Sequence, residues 1–378
     1  MKSPLLLNLE AKISAATDAI SEACWRTERA TYLARKGDEN EAKAEIAIAR
    51  EINLQFGDAR LSCWIHLAEG VLALTAGDER LALDRFERAR AVAGAVFLQR
   101  EASIITAWLA YVDYTHGAIG SMVSRINGVL RADAASDDSA VARSKMLIAQ
   151  SFHFAGDFES AREWYKAANI LITTIGDRVL LSSLLFNIAS HHICNYRQHI
   201  FRGGVSSASQ KLLELTTDSV ANYDRVVGIT SLKAFETTLI ASTHLFNERF
   251  ADASSLLEAF LQAQGDHGLF KMKALYVADL AYCMIKMGFN EKALCLAEDA
   301  NTTVLEQPHS EIYAATRSRL AQIYALSGLD KRAEEHRCVA NAAWEEHEAS
   351  QQEILDLMRI SLDPLALEIQ GNSTSKSN

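Results

Sequence analysis

The sequence predicts an all-α protein, a solenoid of about eight antiparallel helix hairpins followed by one further C-terminal helix. Three observations carry that expectation. Turn-like sites, most of them glycine, recur about every 40 residues. Small residues stand at fixed distances on both sides of those sites. Only three prolines (Pro4, Pro308, Pro364) interrupt 378 residues, which suits long helices. Because a repeat packs only on its neighbours, this length does not force a division into several domains. The expected layout is a helical repeat array over 1–342, a capping helix over 343–363 and a disordered tail over 364–378.

Taken in order, the turns fall at Gly37, Gly77, Gly117, Gly156, Tyr196, Glu248, Gly288 and Gly328. The fourth shows the logic best. Gly156 supplies the backbone freedom that stops a helix, Asp157 can cap the next one through its side-chain oxygen, and Ala149 and Ala161 let the two helices approach closely. Seven residues before each turn stand Ala30, Gly70, Ala110, Ala149, Ala189, Ala241, Ala281 and Ala321, small in every unit. Five after come Ala42, Ala82, Met122, Ala161, Ala253, Ala293 and Ala333; twelve after come Ala49, Ala89, Val129, Ala168, Phe260, Ala300 and Ala340. Matches at three fixed offsets are not an accident of an alanine-rich chain.

Two stretches break the rhythm. Between Tyr196 and Glu248 lie 52 residues, so an irregular insertion is expected near 197–209, with Arg202 to Ser209 as its loop-like part. From 343 to 363, Trp344, His347, Ile354, Leu355, Met358 and Leu362 form a partial apolar stripe, whereas the tail beyond Pro364 has nothing to bury.

A net charge of -10 and a pI near 5.6 argue against a surface built to neutralise phosphates, so no direct nucleic-acid binding is expected. The apolar start, Leu5-Leu6-Leu7, is interrupted by Asn8, Glu10 and Lys12, short of a signal-peptide core, and no run is long enough to span a membrane. Six scattered cysteines (Cys24, Cys63, Cys194, Cys283, Cys295, Cys338) contain no close pair and read as reduced, structural thiols in a cytoplasmic protein.

No phosphate loop, nucleophile elbow, zinc-protease or dinucleotide motif occurs, so no enzyme, cofactor or metal is expected. The cluster His191-His192-Ile193-Cys194-Asn195-Tyr196-Arg197-Gln198-His199 carries metal-type ligands. On a helix, however, His192 and His199 lie roughly 10.5 Å apart along the axis, too far for one tetrahedral ion without a break. Polar residues at a helix end are the plainer reading. The acidic pairs Asp137-Asp138 and Glu345-Glu346 read as solvated surface, and the tryptophans (Trp25, Trp64, Trp108, Trp164, Trp344), at unrelated offsets, as inter-helix packing.

Gly156-Asp157-Phe158 with Ala161, Tyr165 and Ala168, and Gly77 with Ala82, Phe86 and Ala89, resemble the tetratricopeptide repeat over roughly residues 20 to 342. The period is nearer 40 than that family's 34 and its closing proline is absent, so the longer units look like the sensor domains of maltose-regulator-type and Rap-type bacterial regulators. The resemblance implies a right-handed superhelix whose concave groove is lined by the first helix of each hairpin. Its lining positions become Tyr111, Tyr114, Arg143, Gln150, His153, Asn187, Ser242, Tyr282, Arg319 and Gln322. Met146 and Gln150 occupy positions where the chaperone-tail clamp of some members needs Lys and Asn. The function implied is a non-catalytic cytoplasmic scaffold or adaptor that binds a peptide or partner protein in that groove, in bacterial regulation, with a homodimer left open. The alternatives are a stand-alone sensor of a small ligand or signalling peptide that controls a transcriptional or signalling partner, and an enzyme with an unrecognised site.

Overall fold

The computed structural model describes residues 3–132, 136–203, 207–263, 270–304 and 310–362. The described residues are helical almost throughout and include no strand. None of their helices is long and apolar enough to cross a membrane. The chain divides into two compact units: Met1–Leu184 with Tyr223–Ser231 and Ile354–Asn378, and Leu185–Asn222 with Leu232–Glu353.

Unit 1 begins with α1 (Pro4–Ala15) and continues with four hairpins: α2 (Ala19–Lys36) with α3 (Glu39–Phe56), α4 (Ala59–Thr75) with α5 (Glu79–Ala95), α6 (Gln99–Thr115) with α7 (Ile119–Arg131), and α8 (Asp138–Phe154) with α9 (Phe158–Ile175). Each first helix packs on its own second helix and on the first helix of the next hairpin, α2 on α4, α4 on α6 and α6 on α8. Side chains from four hairpins are therefore brought side by side. Helix α1 lies against α2, with Leu9 buried, and is tied down where Ser3 Oγ (2.5 Å) and Leu5 N (3.3 Å) donate to the Gly176 carbonyl.

Unit 2 holds most of α10 (Arg178–Arg202) and of α11 (Ser207–Val227), then α12 (Lys233–Phe246) with α13 (Phe250–Ala263), α14 (Phe270–Lys286) with α15 (Asn290–Val304), and α16 (Ser310–Leu326) with the greater part of α17 (Asp330–Ser361). Helix α14 packs on both α15 and α16.

The turns inside the hairpins share one hydrogen-bond geometry. At Gly37, Gly77, Gly117, Gly156, Glu248, Gly288 and Gly328 the backbone is left-handed, and the next residue's N–H reaches back five residues, as in Asp157 N to Phe152 O and Leu329 N to Tyr324 O, both 2.9 Å. Asp157 caps α9 by accepting from Ser160 N at 3.1 Å, as its place after Gly156 implied. The small positions are the core. Ala30, Ala110, Ala149, Ala189, Ala241 and Ala281 are wholly buried, as are Ala42, Ala82, Ala253 and Ala293 on the second helices. Gly70 shows how close the approach is, because a Cβ there would stand 2.5 Å from the Phe86 ring.

Three expectations change. Tyr196 is not a turn: α10 runs unbroken from Arg178 to Arg202, and Tyr196 is buried against Phe246 with centroids 4.8 Å apart. No glycine interrupts that helix before Gly203, so nothing stops it at the repeat interval. The insertion near 197–209 is correspondingly helical up to Arg202 and again from Ser207, residues 204–206 lying outside the described residues. The cap expected over 343–363 is the continuation of α17. In unit 2 Trp344 Nε1 donates to Ser318 Oγ at 3.0 Å. In unit 1 Met358 and Leu362 are buried and Asn127 Nδ2 donates to the Ser361 carbonyl at 2.7 Å. The tail 364–378 lies outside the described residues.

Candidate functional site

The first helices of unit 1 enclose a pocket of about 320 Å³, walled by α1, α2, α4, α6, α8 and the turn between α9 and α10. Its carboxylates are engaged. Asp177, almost fully buried, pairs with Arg35 Nη2 at 2.9 Å and caps α10 by accepting from Leu180 N at 3.0 Å. Glu28 and Asp137 share Arg100, at 2.6 and 2.9 Å, and Asp137 also caps α8 through Ser139 N. Aromatic rings carry the cations: Lys12 Nζ lies 4.2 Å from the Trp25 ring centre and Arg100 Cζ 5.4 Å from that of Trp64.

Arg143 stands apart within this set. Its guanidinium lies 3.6 Å above Trp108, whose ring stacks near Phe86 and meets the edge of Tyr111. Only 9% of the residue is exposed, and it makes no hydrogen bond or ion pair with any described residue. Burial, and secondarily the charge of Arg35, pulls its pKa down to about 9.

The ten lining residues inferred from the resemblance fall in both units. In unit 1, Tyr111 and Arg143 meet at Trp108, whereas Gln150 and His153 are buried on α8, a helix on which nearly every residue from Ala140 to His153 is buried. His153 packs edge-on to Phe158 and Tyr165, and Gln150 Nε2 has no partner among the described residues. Tyr114 is half-buried. In unit 2, Tyr282, Arg319 and Gln322 come together: Arg319 donates to Asp279 Oδ1 at 2.8 Å and to Gln322 Oε1 at 2.7 Å, and sits 4.3 Å over Tyr282. Ser242 is buried and Asn187 half-buried in the same unit. Five of the ten (Arg143, Gln150, His153, Ser242, Arg319) are thus interior side chains rather than open lining.

Sequence reasoning set aside three contributors. Trp64 and Trp108 pack between helices as expected, yet both also wall the pocket. Asp137, read as solvated, is half-buried between Arg100 and the α8 terminus. The signal available was that Trp64, Trp108 and Arg143 all lie on first helices.

The histidine cluster lies within α10. Burial, with His192 beside it, pulls His191 down to about 4, and burial raises the Cys194 thiol well above its ordinary value. Among the described residues no three His, Cys, Asp or Glu side chains are placed to hold a metal ion. Neither a protein-family model nor a curated protein matches this chain.

Proposed function

We propose that this protein is a non-catalytic binding protein of the tetratricopeptide-like kind, a cytoplasmic adaptor in a regulatory circuit whose first-helix face in unit 1 takes a segment of a partner. The observation that carries the reading is the pocket of about 320 Å³ on that face, where apolar and aromatic walls surround a few fixed charges. That mixture is how binding sites divide labour: apolar surface supplies affinity and sparse polar groups set orientation. The recurring turns and buried small positions support the kinship, with each unit a stretch of such a superhelix. Buried free thiols at Cys24, Cys63 and Cys283 fit a reducing compartment.

Hydrogen–deuterium exchange on the full chain, with and without a partner captured from lysate, tests it. Protection concentrated in α2, α4, α6 and α8 is expected; protection confined to α3, α5 and α7 would overturn it. A second reading, a sensor of a small ligand, is favoured by one feature, the size of the pocket, which suits a compact molecule better than an extended chain.

A further inference from the structure

A cation taken out of water without a counter-charge is a costly arrangement, and natural interiors avoid it by pairing. The other buried arginines among the described residues each have a polar partner, a carboxylate for Arg319 and Arg197 and a neutral amide for Arg317. Arg319 has Asp279 and Gln322, Arg317 has Asn301 at 2.6 Å, and Arg197 has Asp279 at 3.9 Å. Arg143 has an aromatic face, no hydrogen bond and no carboxylate within ion-pair distance, only the longer-range pull of Asp177, which Arg35 already holds, and it borders a cavity. We propose that the unit 1 pocket is a site for a small carboxylic acid, whose single negative charge is taken by Arg143. The proposal deepens the binding-face reading above and rests on it.

The geometry restricts the ligand in three ways. First, Trp108, backed by Phe86, holds the guanidinium plane by one face, which leaves its edge for two parallel N–H···O bonds; a carboxylate matches that fork. Second, the charge count favours a monoanion. Asp177 faces Arg35, and Glu28 and Asp137 both face the single charge of Arg100, so with Lys12, Asp138 and Arg143 the lining groups carry four charges of each sign, and an added acid should bring no more than one negative charge. A dianionic phosphate would bring a second negative charge close to three carboxylates in a partly desolvated site, where repulsion is poorly screened. Third, Leu5, Leu9, Ile104 and Ile175 line the remaining wall, and about 320 Å³ lies at the small end of ligand cavities, so the body of the acid is compact and apolar. Helix α1 supplies Leu5 and Leu9, so the N-terminal helix is part of the site.

Fluorine NMR of 4-fluorobenzoate titrated with the full-length protein tests this. Saturable line broadening is expected below about 10 mM, with 4-fluorobenzamide inert and phenylphosphonate weaker than the benzoate. Arg143→Gln should weaken binding at least about tenfold with unchanged circular dichroism, and Arg143→Lys, which keeps the charge but loses the fork, should fall between. No saturable broadening, equal binding of the benzamide, preference for the phosphonate, or undiminished binding by a folded Arg143→Gln protein would each overturn the site. The benzamide and phosphonate comparisons use the unmodified chain, so they decide the matter even if the variant fails to fold. A peptide's terminal carboxylate shares this chemistry: displacement by a free-ended pentapeptide but not by its amide supports a chain end as the source, and no displacement by either supports a free acid. Partner protection of α2, α4, α6 and α8 without acid binding would leave the binding face standing and remove the carboxylate site; acid binding without partner protection would do the reverse.

Discussion

Arg319 in unit 2 and Arg143 in unit 1 are both buried arginines stacked on an aromatic ring of a first helix, yet their surroundings differ. Arg319 lies over Tyr282 with Asp279 at 2.8 Å; Arg143 lies over Trp108 with no carboxylate at ion-pair distance. They are not equivalent repeat positions, since Arg143 stands thirteen residues before Gly156 and Arg319 nine before Gly328. In their electrostatics, what separates them is one carboxylate. A buried cation with its partner built in belongs to the fold, and one without has a valence that something else must fill. The contrast predicts opposite responses to removing charge in the two places.

The largest effect is expected at Asp279, which is almost fully buried between Arg319 and Arg197. Asp279→Ala leaves two buried guanidiniums uncompensated and should cost about 3–5 kcal/mol of unfolding free energy. Arg143→Met, by removing a buried charge that has no partner, should be neutral or stabilising. Urea unfolding followed by circular dichroism measures both. Equal losses at the two sites would show that Arg143 is a structural cation after all, and the contrast between the units would dissolve.

The helix contacts, unlike the charges, should behave alike in both units. Ala149 and Ala281 are each wholly buried seven residues before a turn. Replacing either with Leu overpacks a helix pair and should cost about 1–3 kcal/mol, while Leu at exposed Glu159 should change little. A large loss at one alanine and none at the other, read in the same denaturation experiment, would mean that the repeat packing is a property of one unit only.

Acid should separate the units again. In unit 2 burial, reinforced by Arg317 and Arg332 against Glu298 and Glu335, pulls His336 down to about 4, and its Nδ1 lies 3.3 Å from Arg317 Nη1. The folded protein therefore keeps the ring neutral, whereas the unfolded chain protonates near 6.5. Stability from this residue is complete above about pH 6.5, declines as the pH falls, and is lost by about pH 4. Between pH 7.5 and 5 the loss should be about 1–2 kcal/mol and should shrink in His336→Gln, which keeps an acceptor for Arg317. An unaltered pH slope in that variant would place the acid sensitivity elsewhere.

How much of this was legible follows from which signals are local. A hairpin turn needs a left-handed residue and a close helix contact needs a small one, and both demands are written at fixed offsets; hence Gly156 and Ala149 could be read directly. Tyr196 failed because the repeat interval was extended across a segment with no stop residue, where α10 simply continues. The binding positions were legible as places and not as roles. Family spacing put Arg143, Gln150, His153 and Arg319 on the inner face, but whether such a side chain is interior or available depends on what distant segments bring up to it. Asp279, 40 residues from Arg319, neutralises one arginine; α1, residues 4–15, helps wall in the other. The first pairing joins equivalent positions of successive hairpins, nine residues before Gly288 and Gly328, and so lies on the repeat period, whereas the second leaves no periodic trace.

The smallest effect concerns the turns themselves. The four hairpins of unit 1 all turn on glycine, whereas α12 and α13 of unit 2 turn on Glu248, with φ 58° and the same back-reaching bond, Arg249 N to His244 O at 2.9 Å. A side chain in left-handed backbone crowds its Cβ against the following carbonyl, a cost of about 1–2 kcal/mol. Glycine removes that crowding but loosens the unfolded chain, which returns about 0.5–1 kcal/mol. Glu248→Gly should therefore stabilise by a few tenths of a kcal/mol to about 1, and the reverse exchange, Gly156→Ala at φ 80°, should destabilise by a similar amount. Shifts in the urea midpoint with an unchanged slope would register both. A loss of stability in Glu248→Gly would mean that this turn is held by its side chain rather than tolerated in spite of it, and that it stops its helix by a different means from the glycine turns of either unit.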